Sequence, residues 1–166
     1  MKEKSIELLN KAIADELSAV HQYMYFHFIC DDQGYDLLAG LFKKTAVQEM
    51  MHVEILAERI LFLKGEVEMV VAESVKKIHD IREMLTTARR MEEESANDYN
   101  LWATECAKNS DSATKKIFEA LVEEEETHFD QFDVEMDNMK KFGDNYLALQ
   151  SIERSKKISG QPGGAE

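Results

Sequence analysis

The sequence is poor in everything that interrupts a helix. One proline and seven glycines stand among 166 residues, and three of those glycines fall in the last seven positions. A chain so short of breakers reads as mostly helical. Two cysteines are too few for a disulfide framework or a Cys-rich zinc site. No apolar run approaches the ~18 residues of a membrane span. The opening MKEKSIELL lacks the apolar stretch of a secretory leader. The expected location is therefore the cytoplasm. Basic side chains are outnumbered by acidic ones, 20 to 33, for a net charge of −13. That balance argues against nucleic acid and anionic membrane as partners. It is compatible with attracting cations, and equally with a solvated acidic surface.

What the chain does have is helical periodicity. Ile6, Leu9, Ile13, Leu17, Val20 and Met24 recur at three- or four-residue steps, predicting a helix over 4–30. DDQG (31–34) ends it, with Gly34 as the stop. A second helix is expected over 35–63. The next stretch, 64–80, is less periodic and contains the β-branched MVVAESV, so it reads as a crossover. Helices over 81–108 and 112–141 follow. Gly143 breaks the chain before a short fifth helix at 144–157. The expected fold is all-α: a four-helix bundle with a long link between the second and third helices. The expected domain is 1–157, followed by a flexible tail, 158–166.

Two stretches, QEMMHVE (48–54) and EEETHFD (124–130), share the pattern Glu-x-x-His. Alone, such a motif is common. Glu49 and His52, however, precede Glu125 and His128 by the same 76 positions. The same offset relates Glu16 to Glu92, Tyr23 to Tyr99, Cys30 to Cys106, Phe42 to Phe118, and Phe26 to Trp102. Each half therefore reads as Glu, then 33 positions on, Glu-x-x-His. Several matches at one offset point to a duplicated helical hairpin. The offset also selects Glu92 from EEE (92–94) and Glu125 from EEEE (123–126), leaving most of the other acids there as a solvated face.

Residues three apart on a helix are neighbours on one face. Each hairpin can thus offer one Glu-x-x-His and one further Glu. Together, four carboxylates and two imidazoles form the donor set of di-iron and di-manganese carboxylate bundles. Oxygen and nitrogen donors without thiolate suit Fe or Mn. Six such groups buried without a metal would be costly. Pseudo-symmetry requires the second and third helices to run parallel, so the link must travel back along the bundle. A 28-residue helix is ~42 Å long, and the ~15 residues of the link span ~50 Å when extended.

LLNKAIADELSAVHQY (8–23), QEMMHVEILAERILFLKG (48–65), VEEEETHFD (122–130) and DNYLALQ (144–150) resemble the bacterioferritins, members of the ferritin-like family. The resemblance covers nearly the whole chain. It implies a cytoplasmic shell of 24 subunits built from dimers. Such a shell oxidises Fe(II) with O2 or H2O2 at a di-iron centre and stores the ferric mineral. It places the ligands on Glu16, Glu49, His52, Glu92, Glu125 and His128, with Glu49 and Glu125 bridging. It also implies a ferredoxin-type reductant for iron release. Met50 matches the position of the family's axial ligand to haem b or a related porphyrin at the dimer two-fold. The plain alternative is that Met50 packs an interface. Some members carry iron-binding His and Asp on the cavity side of the second helix. Lys44 and Gln48 stand there in this chain, which argues against that accessory site.

Tyr23 and Tyr99 each lie seven residues after a ligand Glu, on the same face. Tyr23 is expected to act beside the metals, by hydrogen-bonding a carboxylate or donating an electron. Tyr99 stands equally between that role and a buried, satisfied phenol. Cys30 and Cys106 would lie at opposite ends of the bundle, too far apart to bridge. His27 reads as a hydrogen-bonded core residue. Two rivals remain. A rubrerythrin-like peroxidase would want a Glu where Ser95 stands and has no CxxC module here. A DNA-protecting mini-ferritin would not carry both half-sites in one chain.

Overall fold

The computed structural model describes residues 2–160. Its helices are α1 (Glu3–Asp32), α2 (Asp36–Phe62), α3 (Ile81–Lys108), α4 (Ser112–Phe142) and α5 (Asp144–Ser159). α1 packs along α2, and α3 along α4, with α1 against α3 and α2 against α4 closing the bundle. The expected architecture is present, with small shifts at the helix ends. α1 continues through Asp31 and Asp32 because the stop is set by Gly34, at φ 86°, and not by the acidic pair. α5 continues to Ser159, so Ile158 and Ser159 are helical where a tail was expected. The Ser159 hydroxyl donates to the Ser155 carbonyl at 2.9 Å within that last turn. Residues 161–166 of the expected tail lie outside the described residues.

The 76-residue offset extends to the turns that end α1 and α3. The Tyr35 N–H bonds the Cys30 carbonyl at 2.9 Å, and the Gly34 N–H the Asp31 carbonyl at 3.0 Å. The Asp111 N–H bonds the Cys106 carbonyl at 2.9 Å, and the Ser110 N–H the Ala107 carbonyl at 3.0 Å. Both are the paired-bond helix stop that needs a left-handed residue. Gly34 supplies it in the first half; Ser110, at φ 54°, supplies it in the second. A side chain there costs about 1 kcal/mol. Ser110→Gly is therefore expected to raise stability by about 1 kcal/mol. A denaturation midpoint that stays or falls would show that the Ser110 side chain contributes more than its backbone costs.

The long link is strapped to α1 by polar side chains. Asn10 bonds the backbone at Glu66 and Glu68, Ser18 that at Ala72 and Glu73, and Gln22 that at Lys76. Successive link residues meet successive turns of α1, so the link runs parallel to α1 and returns the chain to the starting end. α3 then begins on Asp80, whose carboxylate accepts from the Glu83 N–H at 2.9 Å. α4 begins on Asp111, which accepts from the Thr114 N–H and from Arg59 at 2.8 Å. Such caps satisfy helix N–H groups that have no partner within the helix. α5 folds back on the α1–α2 turn. The Leu38 N–H donates to Gln150 Oε1, and Arg154 reaches Asp36 at 3.2 Å.

Two apolar clusters form the core. One holds Tyr23, Phe26, Phe42, Met84, Leu85 and Phe132. The other holds Leu8, Leu9, Leu56, Tyr99, Phe118 and, at its edge, Trp102. Each residue of the first has its counterpart in the second at the 76-residue offset. The clusters are thus one packing unit used twice. The six Glu and His residues selected by the repeat are also buried.

Candidate metal centre

Four helices bring the six residues to one place. α1 supplies Glu16, α2 Glu49 and His52, α3 Glu92, and α4 Glu125 and His128, each at most 2% exposed. His52 Nδ1 lies 2.9 Å from Glu49 Oε2, 3.1 Å from Glu125 Oε1 and 3.4 Å from Glu16 Oε2. His128 Nδ1 lies 3.1 Å from Glu49 Oε1, 3.4 Å from Glu92 Oε2 and 3.6 Å from Glu125 Oε2. The imidazole centroids are 5.9 Å apart, their planes inclined by 22°.

These distances are short, yet both Glu49 oxygens, both Nδ1 atoms, Glu92 Oε2 and Glu125 Oε1 make no hydrogen bond. The atoms crowd together without pointing at one another. Hydrogen-bonding pairs aim along their lone pairs and N–H bonds. Donor atoms that converge on a common ion do not. Two overlapping groups each bring their donor atoms within 4.8 Å: Glu16, Glu49, His52 and Glu125, and then Glu49, Glu92, Glu125 and His128. Glu49 and Glu125 belong to both. Such a set could hold a pair of ions, with two carboxylates common to both groups, one more on either side, and an imidazole each. Oxygen and neutral nitrogen donors fit Fe(II).

Burial and the neighbouring Glu49 charge push the Glu16 carboxyl up to about 8. Burial and Glu125 do the same to Glu92, also to about 8. Burial alone would lower both imidazoles, but the surrounding carboxylates outweigh it. His128 rises to about 12, and His52 rises as well.

Tyr23 and Tyr99 meet the centre crosswise. The Tyr23 hydroxyl donates to Glu92 Oε1, and the Tyr99 hydroxyl to Glu16 Oε1. Antiparallel α1 and α3 place each phenol beside the other helix's Glu. Tyr99, equally placed between two readings from sequence, thus makes the same contact as Tyr23. A residue the sequence did not single out is Glu124, whose Oε2 lies 2.7 Å from His52 Nε2. A cavity of about 250 Å³ lies between α1, α3 and the link, lined by Asp15, Glu73, Glu94 and Asp98 and reaching Glu16 and Glu92. Met50 points away from the centre, 48% exposed, with Met51 and Val47 beside it. Cys30 and Cys106 are buried and free. His27 Nδ1 lies 2.8 Å from the Ala39 carbonyl, so it is satisfied within the bundle and is no ligand. Ser95 lines the cavity where a peroxidase of the rubrerythrin type would want another carboxylate.

A bundle with these donors defines the class of ferritin-like carboxylate proteins that bind paired metals. The family model described as "Ferritin-like domain" matches residues 6–142. The bacterioferritin of Desulfovibrio desulfuricans is 35% identical over 97% of this chain and 86% of its own. That of Brucella melitensis is 30% identical over 85% of this chain and 88% of its own. A solved structure of the Desulfovibrio protein, described for its diiron site in different catalytic states, superposes with a TM-score of 0.88. It covers 90% of this chain and 88% of the other, at 35% identity.

The chain belongs to the bacterioferritins, and its function is iron storage and detoxification. The peroxidase and DNA-protecting alternatives are not favoured, since both half-sites lie in one chain whose relatives along its length are bacterioferritins. Among the described residues, no helix is long and apolar enough to cross a membrane.

Proposed function

We propose that this chain is a ferroxidase. Glu16, Glu49, His52, Glu92, Glu125 and His128 bind two Fe(II) ions as substrate, with Glu49 and Glu125 shared between them. The single observation that carries the reading is the set of buried donors that crowd together without hydrogen-bonding. Each ion gives up one electron. H2O2 accepts both with two protons and yields two waters; O2 accepts both with two protons and yields H2O2. Hard carboxylate donors favour Fe(III) over Fe(II) and so favour the oxidation. Tyr23 holds Glu92 in place and Tyr99 holds Glu16. Anaerobic loading followed by an oxidant pulse should show a fast phase that saturates at two Fe(II) per chain. A fast phase that saturates at one, or never saturates, would overturn the reading.

The Fe(III) product is stored in a cytoplasmic shell of 24 subunits assembled from dimers, and a ferredoxin-type reductant returns it. Large apolar side chains exposed on α2 and α5 support burial against further copies, among them Met50, Ile55, Leu149 and Ile152. Met50 of each of two subunits would hold a b-type haem or related porphyrin at the dimer two-fold. A thioether on an exposed apolar face is a fitting soft ligand for haem iron; haem there would serve electron transfer. The visible spectrum of the size-exclusion peak, with and without dithionite, is expected to show a reduced haem band. Met50→Leu should lose the band and keep the fast iron phase. A band retained in Met50→Leu would place the haem elsewhere.

A further inference from the structure

The centre repeats its donors but not what stands behind them. His52 turns Nδ1 toward Glu16, Glu49 and Glu125, so a ring that ligates through Nδ1 keeps its remaining proton on Nε2. That N–H donates to Glu124 Oε2 at 2.7 Å. His128 turns Nδ1 inward in the same way. The position 76 residues before Glu124 is Gln48. Its Oε1 is buried without a hydrogen-bond partner, and among the described residues the carboxylates that pair with His128 all do so through Nδ1, none through Nε2. One imidazole is therefore backed by an anion. At the matching place the other has only a neutral amide.

The difference bears on metal affinity. A carboxylate behind a ligating imidazole fixes the ring and makes it a stronger donor, and its loss typically costs 10–100-fold in affinity. Glu124 is half-exposed, which would make an ordinary ion pair weak. Here, however, it meets the polar edge of a ring that is only 1% exposed. A second asymmetry has the same sign. Asp15 stands beside Glu16 and lines the cavity, whereas its counterpart beside Glu92 is Met91.

We propose that Glu124 is a positioning residue that makes the Glu16–His52 position the tighter of the two, so that divalent first-row metal ions fill the pair in a fixed order. The inference rests on reading the six residues as a two-metal centre. Its failure can be told apart from the failure of that reading.

The probe is Co(II), titrated anaerobically into the full-length protein freed of iron, followed by calorimetry and by the ligand-field spectrum. The wild type should bind two ions per chain in two steps, separated by at least about 10-fold in Kd. His52→Ala should remove the tight step, and His128→Ala the weak one. Glu124→Gln should weaken the tight step by about 10–100-fold and merge the two steps. Gln48→Glu should also merge them, by tightening the weak step toward the tight one. Loss of charge and gain of charge would thus both give equal sites, at opposite affinities, which a general loss of structure cannot imitate. Two ions bound as one class in the wild type would overturn the proposal. So would a separation that survives Glu124→Gln. No stoichiometric binding at all would overturn the two-metal reading itself.

Discussion

Glu49→Ala is expected to abolish rapid Fe(II) oxidation, leaving only the slow autoxidation of iron in solution. The reason is where the side chain sits. One Glu49 oxygen is 2.9 Å from the His52 nitrogen and the other is 3.1 Å from the His128 nitrogen. Glu16 reaches His52 alone, and Glu92 reaches His128 alone. Loss of Glu49 therefore takes a donor from both positions and removes the bridge that keeps them close. Two-electron chemistry on O2 or H2O2 needs both ions at once. The loss must exceed the roughly 10–100-fold that removal of an outer partner costs. Glu16→Ala should be milder for binding, since the Glu92–His128 position keeps all its donors. Alanine is the best helix former, so α2 is not weakened. Stopped-flow oxidation with two Fe(II) per chain is the measurement. A Glu49→Ala rate within about tenfold of the wild type would sink the assignment of Glu49 as a shared ligand.

Most of the centre was legible because it is periodic. Helical phase marks the faces, Glu-x-x-His marks Glu125, and the 76-residue offset picks Glu92 out of an acidic run where no local rule distinguishes it. The same offset relates the two apolar clusters and reaches as far as the pairing of Gly34 with Ser110. What it missed is what breaks the symmetry. Glu124 falls in an acidic run read mostly as a solvated face; its contact with His52 crosses between helices and leaves no mark on spacing. The tyrosines show a subtler limit. Their phase gave the right face, but each bonds the carboxylate of the other helix, and only the antiparallel packing of α1 on α3 reveals that. Asn10, Ser18 and Gln22 carry no signal of their own in the periodicity of α1. Their task of holding the link depends on where residues 66–76 pass. Helix ends moved by a residue or two because capping geometry, not periodicity, sets them.

Metal binding should release about four protons per pair of ions near neutral pH. In the metal-free centre Glu16 and Glu92, raised to about 8, still hold their protons at pH 7. Both imidazoles, drawn up by the carboxylates around them, hold theirs too. Ligation requires all four groups to be deprotonated, and two divalent ions bring the four charges that the protons leave behind. The affinity for the pair should therefore fall by about 10⁴ for each unit of pH lost below 8, or about 100-fold per ion. Above pH 8 the two carboxyls are already ionised. Only the imidazoles then release protons, and the slope should halve to about two protons per pair. The metal-free fold responds with the opposite sign. Carboxyls raised from 4.5 to about 8 contribute stability that is complete below pH 4.5 and lost as pH climbs through 8. The empty protein should therefore be less stable at pH 9 than at pH 5, while the loaded protein gains over the same range as its ions bind more tightly. Calorimetry with Zn(II), repeated in buffers of different ionisation enthalpy, counts the protons directly. Release of none, or an affinity flat between pH 6 and 8, would mean that the centre waits for metal already ionised, and that its buried charges are balanced in some other way.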